Sequence, residues 1–168
     1  MTADQLSIGA DPAALRRAFG TFATGVTILT IGEPQPHGMT ATSFTSVSLD
    51  PPLVLVCVDR RAVMHRKLDA DAFGVSVLAS DQEAVARHFA NRARPLGSAQ
   101  FECTDCTFGR VTGVPLIGGA IATFECRQWR RYDGGDHTIV LGRLVSFAWS
   151  DRRSPLVFFT GAFRSLPR

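Results

Sequence analysis

Residues 37–59 read HGMTATSFTSVSLDPPLVLVCVD, and six short hydroxyl side chains (Thr40, Thr42, Ser43, Thr45, Ser46 and Ser48) stand ahead of a nearly all-apolar run. Each hydroxyl can donate one hydrogen bond and accept others without carrying charge, which suits the edge of a flat heteroaromatic ring or a phosphate. A hydroxyl-rich edge strand with Thr as a β former has the same composition, so the segment alone does not choose. A second candidate is Gly134-Gly135-Asp136-His137, a turn that delivers His137 to a strand end. There a histidine can donate a hydrogen bond or change charge near neutral pH, although a glycine-rich hairpin tip with an incidental exposed His reads the same way. His37 and His65 have no comparable setting, and His88 reads as a helix-surface residue.

The missing patterns narrow the chemistry. The chain has no Gly-x-Ser-x-Gly elbow, no P-loop and no His-Glu-x-x-His, and no two glycines have the Gly-x-Gly spacing that opens a dinucleotide fingerprint. Cys103-x-x-Cys106 is half of a zinc pattern, but Cys57 and Cys126 lie in strand-like runs and complete no ligand set, so no metal is expected and the thiols are read as reduced.

These candidates need strands and turns to hold them. Asp11 before Pro12 reads as a helix N-cap, followed by Leu15, Ala18, Phe19 and Phe22 on one face and a stop at Gly25. Val26 to Ile31 reads as a strand, paired as a hairpin with an extended segment from Gly38 to Phe44. Pro51-Pro52 sets a rigid corner before LVLVCV, whose unbroken apolar character predicts burial on both faces. A short helix is expected over 62–70, a strand over 73–78, and a helix through Phe89 opened by a Ser80 to Glu83 capping box. Three further strands, 121–130, 138–149 and 156–160, complete about seven, with two or three peripheral helices. The expectation is a mainly β fold, an antiparallel barrel.

At 168 residues, with 45% apolar and 20% charged residues, one domain over 1–168 is expected, with 1–10 as a flexible lead. No membrane span or signal pattern is expected, and a cytoplasmic protein follows. The net charge of +3 comes almost wholly from scattered arginines, with Lys67 the only lysine, which does not make a nucleic-acid-binding stripe.

FATGVTILT (22–30), GMTATSFTSVSLDPPLVLVCVD (38–59), FGVSVLASDQEAVARHFA (73–90), DGGDHTIVLGRL (133–144) and PLVFFTGAFRSL (155–166) together resemble the short-chain flavin reductases, the small component of two-component flavin-dependent monooxygenases. The resemblance covers nearly the whole chain and implies an FMN-binding split β-barrel of Greek-key type, with FMN or FAD bound near the interface of a homodimer. NADH or NADPH is the implied hydride donor, and a separate oxygenase the implied recipient of diffusible reduced flavin.

The same resemblance places Thr40, Ala41, Thr42 and Ser43 along the isoalloxazine and ribityl chain, with Ser46 among the cofactor contacts. Cys57, Val58 and Asp59 line the next wall, and Arg60, Arg61, Ala62 and Val63 face the phosphate. Phe89 and Asn91 lie toward the far end, His137 acts beside the nicotinamide, and Phe163 and Arg164 belong to the closing segment. Similar proteins often carry Ser or Thr after the buried strand, where this chain has Arg60-Arg61. A guanidinium can hold phosphate by two parallel hydrogen bonds, so either arginine is expected to replace those hydroxyls, helped by N–H groups of the following helix. The choice between FMN and FAD stays open. A non-catalytic flavin- or haem-binding split barrel is the alternative, and the Gly-Gly-Asp-His turn favours the enzyme. A barrel oxidase of a pyridoxine-like substrate would show clustered phosphate-directed Lys and Arg, which a single lysine argues against.

Overall fold

The computed structural model describes residues 11–166, so the lead expected over 1–10 lies outside the described residues. In chain order the elements are α1 (Pro12–Gly20), β1 (Thr24–Gly25), β2 (Thr27–Ile31), β3 (His37–Ala41), β4 (Thr45–Leu49) and β5 (Pro52–Asp59). A 3-10 turn (Met64–Lys67), β6 (Ala72–Val77), α2 (Glu83–Ala90) and a second 3-10 turn (Gly97–Phe101) follow. The chain then continues through β7 (Cys106–Phe108), β8 (Pro115–Ile117), β9 (Ala122–Gly134), β10 (His137–Trp149), β11 (Leu156–Phe159) and β12 (Ala162–Ser165).

Seven antiparallel strands form the main sheet in the order β3-β2-β6-β9-β10-β5-β4. Its two edges, β3 and β4, are consecutive in the chain and only Thr42, Ser43 and Phe44 separate them. A link of three residues reaches only about 10 Å, so the sheet must curl until its edges face each other. It is a barrel left open along one seam, the split-barrel form of a mainly β fold. The hydroxyl segment crosses that seam. Ser43 Oγ accepts from Cys57 N at 2.9 Å and donates to Cys57 O at 3.0 Å, stitching the crossing to β5.

The strand buried on both faces is β2: all five of its residues are buried. Its outer face is covered by α2 and β8, and its two threonines donate to the carbonyls of Ala41 and Pro115. The expectation placed this character in LVLVCV instead. In β5 only Val54, Val56 and Val58 are buried, while Leu53, Leu55 and Cys57 stay half-buried, because among the described residues no element packs over that face as α2 and β8 do over β2.

Inside the barrel, Leu29, Val54, Val56, Val58, Met64, Phe73 and Val140 make one core; Ile28, Leu78, Ala86, Phe89 and Leu156 make a second under α2. Burying each such side chain contributes about 1.5–3 kcal/mol.

Three local expectations change. The helix expected over 62–70 is a four-residue 3-10 turn. Ser80 does not cap α2, since its N–H is drawn to Ser154 O beside the Ala79–Pro155 bridge, and Gln82 fills the corner by accepting from Ala79 N and donating to Gly118 O. Asp11 does cap α1, accepting from Ala13 N at 2.8 Å, but the helix stops at Gly20 and its Leu15, Phe19 and Phe22 face remains exposed.

Candidate functional site

The end of β5 and the start of β10 lie side by side, with Asp59 paired to His137. The hairpin tip before His137 turns at Gly135, whose φ of +75° favours a residue without Cβ. Arg60 belongs to that tip: its Nε donates to Gly135 O at 2.8 Å, and its Nη2 lies 3.3 Å from the Asp133 carboxylate. Arg61 turns the other way. Its backbone N–H donates to Asp59 Oδ1 at 2.7 Å and its Nη2 to Oδ2 at 3.1 Å, and these bonds hold the Asp59 carboxyl down at about 2. His137 is partly exposed and its Nδ1 lies 2.7 Å from Asp136 Oδ1, which keeps Asp136 below the usual carboxylate range. An Nδ1–H bonded to a carboxylate leaves Nε2 as the nitrogen available to another group.

Asp59, Arg61, Ala62 and Val63 form one wall of a cleft of about 320 Å³. The facing wall comes from β3 (His37, Met39, Thr40) and from the end of α2 with the segment after it (Phe89, Ala90, Arg92, Arg94, Leu96). Close packing sets the two parts of that wall together. A Cβ on Gly38 would stand 2.5 Å from Phe89 Cε1, so only glycine lets β3 lie against this ring. Gln100, fully buried, accepts from Gly38 N at 2.8 Å and donates to Pro36 O at 3.1 Å and Gly97 O at 2.8 Å. Thr40 Oγ1 donates to Ala86 O at 2.7 Å, fastening β3 to α2. Among the described residues no group of His, Cys, Asp and Glu could hold a metal ion, and no helix is long and apolar enough to cross a membrane.

Residues 19–167 match the flavin reductase like domain. The chain belongs to that family. It is 52% identical over 155 residues to an NADH-dependent FAD reductase of Streptomyces globisporus, covering 92% of this chain and 85% of that protein. To the reductase component of 4-hydroxyphenylacetate 3-monooxygenase of Thermus thermophilus it is 42% identical, over 91% of this chain and 95% of the other. The crystal structure of the flavin reductase component of a bacterial two-component tryptophan halogenase superposes with a TM-score of 0.90 at 54% identity, covering 94% of this chain and 99% of that one. A Streptomyces globisporus NADH:FAD oxidoreductase in complex with NAD and FAD fragments superposes with a TM-score of 0.92 at 48% identity, over 98% of each chain.

The residues of this family member suit a flavin nucleotide. Three guanidinium side chains (Arg61, Arg92, Arg94) and one carboxylate (Asp59) give the cleft a cationic balance that suits a phosphate, and Met39 adds an apolar contact. At about 320 Å³ the cleft lies at the small end of ligand pockets, which run from about 300 to 1,000 Å³.

Of the site residues expected from sequence, Thr40, Asp59, Arg61, Ala62, Val63 and Phe89 line this cleft. His137 adjoins it through Asp59. Asn91 is exposed beside it, with its side chain accepting from Ala93 N. Thr42 and Ser46 are exposed on the seam and on β4, Ser43 is bound to Cys57, and Cys57 is half-buried. Ala41 and Val58 are buried, so only their backbone groups remain to meet a ligand. Phe163 and Arg164 sit on β12 in the small β1-β11-β12 sheet, where Phe163 packs on Phe158 and under Arg87. Of the two arginines expected to face the phosphate, Arg61 lines the cleft and Arg60 is bound to the hairpin tip. The N–H groups expected from a following helix do not form a helix end there, since that element is one 3-10 turn.

The sequence reading passed over His37, Met39, Arg92, Arg94 and Leu96. His37 and Met39 alternate with Gly38 on one strand, so one face carries both; that period-two signal was available. Nothing local marks Arg92 and Arg94, which reach the cleft only because the chain folds back after α2. His88, read as a helix-surface residue, is half-buried and its Nε2 lies 2.7 Å from Gln100 O, tying α2 to the 97–101 turn.

Proposed function

We propose that this protein is an NADH-dependent flavin reductase that binds FMN or FAD in the Asp59–Arg61/Phe89 cleft and releases reduced flavin to a separate oxygenase component. One observation carries this reading: Asp59, Arg61, Ala62 and Val63, together with Thr40 and Phe89 from distant parts of the sequence, line a single cationic cleft. Flavin, when bound, supplies a hydride acceptor at N5. The chain's own contribution is to bind and orient. Arg61 faces the phosphate, backbone N–H groups along β3 and the Thr42–Ser43 crossing meet the pyrimidine edge, and the His137 Nε2 steadies the nicotinamide carboxamide. None of these side chains is required to form a covalent bond.

A homodimer completes the site. The half-buried apolar face of β5, the exposed Phe147–Trp149 stack on β10 and the exposed Leu15, Phe19 and Phe22 of the α1 face support this, since exposed apolar patches commonly mark association surfaces. We place the protein in the cytoplasm, where reduced nicotinamide is supplied.

Purified protein is expected to oxidise NADH with added FAD or FMN, losing oxidised-flavin absorbance in step under anaerobic conditions. No nicotinamide oxidation with either flavin would refute the assignment. Light scattering is expected to report twice the 18.2 kDa chain mass.

A further inference from the structure

Arg60 and Arg61 are neighbours in the chain that point to different places. Arg61 lines the cleft with its guanidinium on Asp59, whereas Arg60 does not line the cleft and directs its guanidinium to the β9–β10 hairpin tip. That tip has little to hold it by itself. Gly134 and Gly135 carry no side chains, Gly135 turns at a φ of +75°, and glycine loses more backbone freedom on ordering than any other residue. Yet both backbone polar groups of Gly135 are engaged: its N–H donates to Asp133 Oδ1 at 2.8 Å, and its carbonyl accepts from Arg60 Nε at 2.8 Å. Arg60 Nη2 lies 3.3 Å from the same Asp133 oxygen, so guanidinium, carboxylate and turn close one ring. The Gly135 N–H first, and then the Arg60 charge, hold Asp133 below the usual carboxylate range. One residue on, the Asp136 carbonyl accepts from the Arg60 backbone N–H at 3.0 Å. Past the tip, Thr138 Oγ1 stands 2.9 Å from Nε2 of His65, which lies on the 3-10 turn after β5. The segment after β5 therefore grips the hairpin on both sides of His137.

His137 is the first residue of β10, and its ring is aimed by Asp136, which is itself a residue of the turn. Rotation of the turn moves both the ring and the carboxylate that orients it. We propose that Arg60 is a positioning residue for hydride transfer: it locks the Asp133–Asp136 turn and thereby fixes where His137 presents its Nε2. This rests on the flavin reductase reading of the adjoining cleft. In this role Arg60 touches neither flavin nor nicotinamide and acts only through His137. A displaced orienting group costs rate, so loosening the turn slows the reaction and leaves flavin affinity intact. The choice of arginine has a reason, because a guanidinium presents donors to Gly135 O and Asp133 in one planar fork, whereas an ammonium is a single point of charge.

The test is a double-mutant cycle of Arg60→Ala and His137→Ala on the full chain, read by anaerobic stopped-flow flavin reduction at saturating NADH and by titration with FAD, FMN and riboflavin. Arg60→Ala alone is expected to slow reduction about three- to fivefold, with every flavin Kd within about twofold of wild type. In the His137→Ala background the same substitution is expected to change the rate by less than about 1.5-fold, because the ring it positions is gone. Arg60→Lys is expected to recover part of the loss, and Arg60→Gln gives the same readings should Arg60→Ala not fold. In the flavin-free protein, amide hydrogen exchange at Gly135 is expected to quicken about fivefold in Arg60→Ala and to stay at the wild-type rate in His137→Ala. Equal fold losses in the two backgrounds, or exchange at Gly135 that does not respond to Arg60→Ala, overturn the role. Weaker binding of FAD and FMN with riboflavin unaffected overturns it as well, since Arg60 would then be a phosphate ligand. Those outcomes leave the reductase reading standing, whereas wild type that reduces no flavin defeats that reading and the role with it.

Discussion

His37 lines the cleft and His137 adjoins it beside Asp59, and the two are opposite in kind. His37 sits on β3 beneath the segment after α2, sealed from water; burial first, then the positive charges of Arg94 and Lys67, push its pKa down to about 4. His137 sits at a hairpin tip, 40% of its side chain exposed, with a carboxylate on its Nδ1. The same side chain is thus a sealed, neutral ring in one setting and a partly exposed, carboxylate-oriented ring in the other. Environment assigns the roles. Desolvation and cations remove the charge from His37, while solvent and a carboxylate surround His137.

That contrast can be broken from the His37 side first. Its folded pKa of about 4 lies below the ordinary value of 6.5, so between those pH values the unfolded chain binds the extra proton. Stability is then fully present above pH 6.5 and falls as pH drops toward 4, by about 3 kcal/mol at most. Thermal melts from pH 7 to pH 4 are expected to show this slope, and His37→Phe is expected to flatten it; an unchanged slope would place the sealed histidine elsewhere than buried and neutral. Next in size is Gly38→Ala, whose Cβ would drive into the fully buried Phe89 ring, at a cost of about 1–3 kcal/mol in denaturant unfolding. Flavin affinity should fall with it, because Phe89 lines the cleft.

His137→Ala sharpens the other half of the comparison. It is expected to lower kcat at least about tenfold while flavin Kd stays within about twofold, measured by stopped-flow reduction and by titration. Equal turnover would remove His137 from the reaction. The smallest effect is expected for Asp136→Asn, which keeps a hydrogen-bond acceptor for Nδ1 and removes only an exposed charge. A two- to threefold change in kcat/KM, with no resolvable shift in melting temperature, is the expected result.

The strands were legible where side-chain pattern and burial coincide. The hairpin of β2 and β3, the 73–78 strand and the long β9–β10 hairpin all follow from β-branched runs cut by Gly and Pro. The reading failed where cover comes from elsewhere in the chain. LVLVCV and TILTI look alike as apolar strands, yet only the second is packed on both sides, because α2 and β8 lie over it. The Ser80–Glu83 pattern is a sound capping box locally, but pairing with Ser154 withdraws Ser80 from the helix end. At the site, the hydroxyl segment and the Gly-Gly-Asp-His turn were visible as types and spacings. Several hydroxyls turn out to close the seam and fasten β3 to α2.

The sequence by itself determined the barrel class, the turn that delivers His137, the apolar strand that ends at Asp59 and the two arginines that follow. These are local consequences of backbone restriction and side-chain period, and they survive any arrangement of distant parts. Tertiary structure decided which arginine faces the cleft, which histidine loses its charge, and that Arg94 lines the cleft at all. Those outcomes depend on desolvation and on hydrogen-bond partners more than fifty residues away, which exist only once the chain has closed on itself.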